Sequence, residues 1–290
     1  MAQTATTGSL ENAQNIIIAT SRYTEEHNAP AMNLIEKFDL PDGNKQVTVP
    51  KVGQMTMSDL VDGQDIIDEE DIGMSTVDLT ASEVGAKVIL TDKLARQSAD
   101  NVFSMIGRQL GDGMARKKDR DVIALYTNLN GGDKLGEAAK FMKSSNVQGI
   151  IAYAKANKFG SDIYILHHPN AVAYLAKEAA TVASSPAAIP EGYSQDLLQN
   201  FWSGIRPINN VPIFEDGNID IDTDGDGIGV IADKGAMAVL RRVETKTEQQ
   251  RDASLRATEV VMTSDYGVFE LDDSRGAGVT FDINTLASNA

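Results

Sequence analysis

The chain has 290 residues, 42% of them hydrophobic, and a formal net charge of −16; that is length enough for one large core or two modest ones. The acidity argues against a general affinity for nucleic acid or anionic lipid, since either polyanion would be repelled over most of the surface. Cysteine is absent and the histidines are three, His27, His167 and His168, which excludes disulfides, cysteine nucleophiles, iron–sulfur clusters and thiolate zinc sites.

The opening "MAQTATTGSL" has neither the basic nor the apolar region of a secretion signal, and the apolar run from Ile16 to Ala19 is too short to span a bilayer. Cytoplasmic residence without membrane association is the expectation. Residues 1–44 read as an arm, with an amphipathic stretch from Glu11 to Glu26 and an apolar patch at Met32, Leu34, Ile35 and Phe38. The turn "LPDGNK" closes it, Pro41 fixing φ and Asp42-Gly43 supplying the reversal.

Residues 45–90 follow as a ribbon. "KQVTVPKV" and "STVDLTASEVGAKVIL" both alternate in period two, with Val47, Val49 and Val52 on the first and Val77, Leu79, Val84, Val88 and Leu90 on the second, and they predict two long strands. The segment between them carries Asp65, Asp68, Glu69, Glu70 and Asp71 but little to cover an apolar face. A two-stranded ribbon is marginal in water unless covered, so the cover comes either from the rest of the chain or from a neighbouring copy, and the uncovered alternative is the one that implies assembly.

Residues 91–129 hold the longest helical pattern. Thr91 or Asp92 caps it, and Leu94, Val102, Ile106, Leu110, Met114, Ile123 and Tyr126 keep to one broad face, with a bend expected near Gly107, Gly111 and Gly113. Its "RKKDRD", residues 116–121, interleaves acids with bases and lacks aromatics, so it predicts an exposed helical face or an ion-pairing contact between subunits rather than a nucleic-acid patch.

From residue 134 to 240 the pattern changes to alternating helix and strand: a helix in "NVQGIIAYAKANKF", a buried strand in "DIYILHHP", an Ala-rich helix from Asn170, a loop and short helix in "PAAIPEGYSQDLLQNFWSG", and the strands "VPIFED" and "IGVIADKGAMAVL". Residues 241–290 return to alternating strands, whose apolar faces need the long helix to pack on. One domain, 91–133 with 241–290, is therefore expected to be discontinuous, with 134–240 inserted.

Catalytic motifs are scarce: there is no G-x-S-x-G elbow, no Walker loop and no H-E-x-x-H, and no enzymatic activity is expected. His167 and His168 are adjacent on a strand and face opposite ways, so they cannot jointly grip one metal or substrate atom. The acidic loop "DGNIDIDTDGDGIG", residues 216–229, is the one constellation with ligand-like spacing. Asp222, Asp224 and Asp226 match the first half of a twelve-residue calcium loop, with Asp233 at its last position. Converging carboxylates repel by roughly 4 kcal/mol per pair at about 4 Å and an effective dielectric near 20. Two readings stand, a Ca²⁺ site at these four residues or a solvated hairpin tip.

Taken in order, the arm, the ribbon entered by "LPDGNKQVTVPKVGQMT", the link "STVDLTASEVGAKVILTD", the helix with "GRQLGDGMARKKDRDVIALY", the inserted domain with "VPIFED" and "GVIADKGAMA", and the tail "RRVETKTEQQRDASLRATEVVMTSDYGVFELDD" resemble a tailed-bacteriophage major capsid protein. The resemblance implies an α+β, Hong Kong 97-type capsid fold: N-terminal arm 1–44, extended loop 45–90, peripheral domain with its spine helix 91–133, axial domain 134–240 and the peripheral strands 241–290. It implies a non-enzymatic virion protein that assembles with itself, in the host bacterial cytoplasm, into hexamers and pentamers of an icosahedral shell around double-stranded DNA that it does not read by sequence. The short arm implies a separate scaffolding protein; a portal and a decoration protein are the other partners the family suggests. An encapsulin-like nanocompartment shell shares the fold, and a calcium-dependent surface or adhesion protein is the reading from another class.

Overall fold

The computed structural model describes residues 29–41, 43–52, 74–93, 101–183 and 210–284. The expected amphipathic stretch 11–26, the acidic segment 53–73, residues 94–100 of the expected long helix and the loop and short helix expected at 186–204 lie outside them. Two large sheets, a two-stranded ribbon and one long helix organise the rest.

The first sheet has the order β1-β9-β10-β4. Strand β1, Glu36–Asp39, runs parallel to the start of β9, Met237–Asp252; β10, Ala257–Glu270, returns antiparallel beside it, and β4, Ser82–Thr91, pairs antiparallel on the far edge. Inward side chains of β10 alternate, placing Val260 and Met262 in a buried cluster with Leu90 and with Leu110 and Met114 of the helix α2, Asn101–Leu125. These positions recur every three or four residues along α2, the spacing that keeps one helical face on a core. Among the expected core positions of this helix Ile106 is only half-buried, and Gly113 faces open space, so it marks no close packing.

The second sheet has the order β5-β11-β8-β6-β7. Its centre is β8, Asp226–Asp233, antiparallel both to β11, Gly276–Asp282, and to β6, Ile163–His167; β7, Ile213–Glu215, and the two-residue β5, Leu135–Gly136, lie parallel at the edges. All five residues of β6 are buried, as a strand sheltered on both faces requires. Helices α3, Ser144–Ala156, and α4, Pro169–Ala183, complete this unit, Val147, Ile150 and Ile151 of α3 and Val172 and Leu175 of α4 sharing a core with Phe281 and Ile283.

Four expectations change. The stretch read as one strand from Ser75 to Leu90 breaks at Ala81, its first half (β3, Met74–Thr80) pairing with β2, Gln46–Val52, and its second half becoming β4 of the first sheet. The strand read from Ile228 to Leu240 likewise divides, because Asp233 accepts from the Gly235 amide and caps a 3-10 turn at Lys234–Ala236; β9 starts after it. The tail does not belong wholly with the long helix: β9 and β10 do, but β11 enters the second sheet. Its residues Ala277, Val279 and Phe281 face the apolar core around α3 and α4, which offers more burial than an exposed edge of the first sheet.

The fourth concerns cover. Strands β2 and β3 form the expected antiparallel pair, Val47 opposite Leu79 and Val49 opposite Val77. Their apolar face is covered in part within the chain: Leu79 is fully buried with Leu40 and Leu240, Phe269 and Leu271 close the cluster, and Val47, Val49 and Val77 are half-buried against it. The patch at Met32, Leu34 and Ile35 is also sheltered within the chain, since Ile35 packs with Val122 of α2, Tyr126 just after it and Met237 of β9. The one-turn helix α1, Ala31–Leu34, and β1 carry it there.

Candidate functional site

The acidic loop is a self-supported turn. Asp222 Oδ1 accepts from the amides of Asp224 at 2.9 Å and Asp226 at 2.8 Å, and the Asp222 amide donates to the Asp226 carbonyl. Gly225 sits at the tip with φ +88, where a Cβ would overlap the Asn284 side chain. Asp226 turns away from Asp222, both its oxygens accepting from the Ala139 amide at 2.8 and 3.1 Å. Asp224 is exposed.

Asp233 is not part of this cluster. It ends the strand that Asp226 begins, and at about 3.3 Å per residue the two stand roughly 23 Å apart. Asp233 accepts instead from the amides of Asp162 and Gly235 and lies 3.5 Å from Arg275 Nη1. The twelve-residue calcium register is thus not formed, because its second half is extended rather than helical. Among the described residues no three acidic or histidine side chains converge as a metal would need.

His167 is the last residue of β6 and His168 lies between it and α4. His168 Nδ1 accepts from the Asn170 amide at 3.1 Å and so caps α4, whose first residue is Pro169. His167 is fully buried; its Nδ1 accepts from the His168 amide, which leaves Nε2 to carry the hydrogen towards the Val279 backbone, outside strict hydrogen-bond geometry. Burial pushes its pKa down to about 4, partly offset by the Val279 backbone, so the ring is neutral. Gly229 of β8 faces it across the sheet, and any Cβ there would overlap the imidazole and the Leu166 carbonyl.

The feature that sequence reading missed lies inside "RKKDRD". Asp119 is fully buried, one helical turn from Ala115 and Val122, which are buried too. Its Oδ1 accepts from the Ala31 amide at 3.1 Å and its Oδ2 from Asn218 Nδ2 at 2.9 Å. Asp216, also buried, accepts from the Asn218 amide at 2.8 Å through Oδ1, while its Oδ2 has no other partner. Arg120 pairs with Asp220 at 2.7 Å, Lys117 with Asp121, and Lys118 reaches Thr245 and stands over the Tyr266 ring. Tyr266 donates to Asp121 at 2.7 Å. This motif therefore binds the helix to its own sheet and loop. Helical spacing was the available signal: Asp119 falls on the same face as Ala115, Val122 and Tyr126.

Beside this network a cavity of about 390 Å³ opens between α1, α2 and the β9–β10 pair, lined by Met32, Lys37, Lys118, Arg241, Glu244 and Tyr266. Its charged groups are held in ion pairs and hydrogen bonds, Arg241 with Asp39 and Lys37 with Asn33. Among the described residues no helix is long and apolar enough to cross a membrane.

The broad surface is the first sheet. Helix α2 covers one face; on the other, β4, β9 and β10 present Lys87 paired with Glu259, and exposed Ile89, with exposed Leu255 at the β9–β10 turn. Strand β9 runs 16 residues, and from Arg241 onward every residue is half-buried or exposed. One helix over one sheet makes a thin, elongated plate.

A family model described as phage capsid protein matches residues 75–279. No curated protein sequence matches. Among solved structures, the chain is similar to that titled Mycobacterium phage Che8, with TM-score 0.61 and 14% identity over 87% of this chain and 91% of that one. It is similar to the head structure of the Helicobacter pylori bacteriophage KHP40, with TM-score 0.62 and 12% identity over 89% of each chain. It also resembles the holo-SrpI encapsulin complex from Synechococcus elongatus, with TM-score 0.63 and 12% identity over 91% and 92%.

Proposed function

The chain belongs to the phage capsid protein family, and from that premise we propose that it builds the hexamers and pentamers of an icosahedral head enclosing double-stranded DNA. A capsid protein of the tailed-phage fold is a structural, shell-forming component of the virion. The thin plate of α2 on β4, β9 and β10 carries the finer reading. A wall subunit needs two broad faces and edges that meet its neighbours, and a single helix on a single sheet supplies that at minimal thickness.

In this reading residues 1–44 act as the arm, 45–90 as the extended loop, 91–133 and 241–290 as the peripheral domain, and 134–240 as the axial domain, with β11 crossing from the tail into the axial sheet. The net charge of −16 keeps a packaged genome from adhering to the wall, because like charges repel wherever they face each other. Scaffolding and portal proteins are the partners such assembly requires, and the host cytoplasm is where it takes place.

Analytical ultracentrifugation and negative-stain microscopy of the full chain test the proposal. Closed particles with pentameric vertices are expected; a chain that stays monomeric at all concentrations, with or without its co-expressed scaffold, overturns it. The contents of particles from infected cells distinguish a DNA-filled head from a shell loaded with enzyme.

A further inference from the structure

We propose that Asp119 and Asp216 hold a single proton between them, and that this proton is the clasp that keeps residues 29–35 seated on helix α2. Both carboxyl groups are removed from solvent, one by α2 and the 29–35 segment, the other by the end of β7. They are bridged by one residue, Asn218, whose side-chain amide serves Asp119 at 2.9 Å and whose backbone amide serves Asp216 at 2.8 Å. Two ionised carboxylates cannot share such a site without a cation.

The neighbouring cations are committed elsewhere: Lys117 to Asp121, Arg120 to Asp220, and Lys118 to Thr245 and the Tyr266 ring. The other titratable groups facing the pair are Tyr126, just past the end of α2, and His168, which follows β6 and on which Asp216 acts. Residues 29–35, Ala-Pro-Ala-Met-Asn-Leu-Ile, bring none. The atom with no other partner, Asp216 Oδ2, is where a proton shared with Asp119 belongs. Burial, and next the facing Asp216, raise the pKa of Asp119 to about 8 against the opposing donors Asn218 and Ala31.

Loss of the proton leaves two buried negative charges, and hydration is the relief. The loop carrying Asp216 and Asn218 is anchored on both sides by β7 and β8 and by the Arg120–Asp220 pair. Helix α1 is a single turn, tied to α2 through the Ala31 amide. Lifting that turn exposes Asp119 at the lower cost and widens the cavity that Met32 helps to line.

The sign follows from linkage. The closed segment binds one proton more than the open one between the ordinary carboxyl pKa near 4 and the raised value of about 8, so closure is fully present below that range and is lost as pH rises through it. Burial lowers the pKa of His167 and of His168 below the ordinary value, so the window from 7 to 9 lies above the titration of both.

Hydrogen exchange by mass spectrometry on the full chain, normalised for the intrinsic chemical rate, provides the test. The opening equilibrium of peptides spanning 29–35 should rise by up to tenfold per pH unit towards pH 8 and then level off. In Asp119→Asn and Asp216→Asn the slope should vanish, because the amide needs no proton. Infrared difference spectra of the parent should show a protonated-carboxyl stretch at pH 6.5 that is gone by pH 9 and absent from both variants. Opening independent of pH in the parent, a parent-like slope in Asp119→Asn, or no protonated carboxyl at pH 6.5 would each overturn the proposal. Should a variant fail to fold, exchange and infrared on the parent decide alone.

Discussion

Leu79 of the ribbon and Leu240 of β9 meet in one buried cluster, neither with any exposed surface. The root of the ribbon is therefore part of the core of its own subunit. Replacing Leu79 with Ala should cost the unassembled chain about 2–5 kcal/mol, the range for a buried leucine whose cavity does not collapse. Denaturant unfolding of the dissociated subunit measures it; an unchanged midpoint together with failed assembly would instead mean that the cover comes from another copy.

Gly229 faces His167 with no room for a side chain. An alanine in a strand interior ordinarily gains up to about 1 kcal/mol over glycine, yet here Gly229→Ala should lose about 1–3 kcal/mol through overpacking. His167→Ala in the same chain should recover part of that loss. Simple additivity of the two in a double-mutant cycle would show that the ring and the strand do not press on each other.

The buried His167 also makes stability depend on acid. Its pKa falls from an ordinary 6.5 to about 4, so its contribution is intact above pH 6.5 and is lost as pH falls from there through 4. At full loss this amounts to roughly 3 kcal/mol. The Asp119–Asp216 pair gains stability in the same direction, so the two slopes oppose each other. Comparing parent with His167→Phe at pH 7 and pH 4.5 isolates the histidine: the stability difference should shift towards the variant on acidification.

Asp222 accepts from two amides of its own loop. Asp222→Ala should cost about 1–2 kcal/mol for two lost hydrogen bonds, whereas Asp222→Asn keeps the acceptor oxygen and should lose far less. Thermal melting in calcium and in chelator reads a different role: if Asn behaves like Ala only when calcium is present, the carboxylate is holding a cation.

Residues 116–121 show what pattern alone could carry. Their charges pointed to an ion-paired helical face, and the Lys117–Asp121 pair forms one helical turn apart, a relation any α-helix would create. Asp119 looked equivalent to Asp121 in composition. Only the docking of residues 29–35 and of the 216–220 loop, each about a hundred positions away in the chain, distinguishes them. Likewise Asp222, Asp224 and Asp226 have ligand-like spacing, but their side chains take the backbone amides that the turn offers.

Composition and periodicity by themselves determined the long helix, the paired ribbon, the buried strand at 163–167, the tail strands and the absence of cysteine chemistry, because these depend on which face of a regular element is apolar. Tertiary structure alone decided where β11 goes, what covers the ribbon, and which acids lie in the dark. Those depend on competition between distant surfaces for burial and hydrogen-bond partners, and that competition leaves no period in the chain.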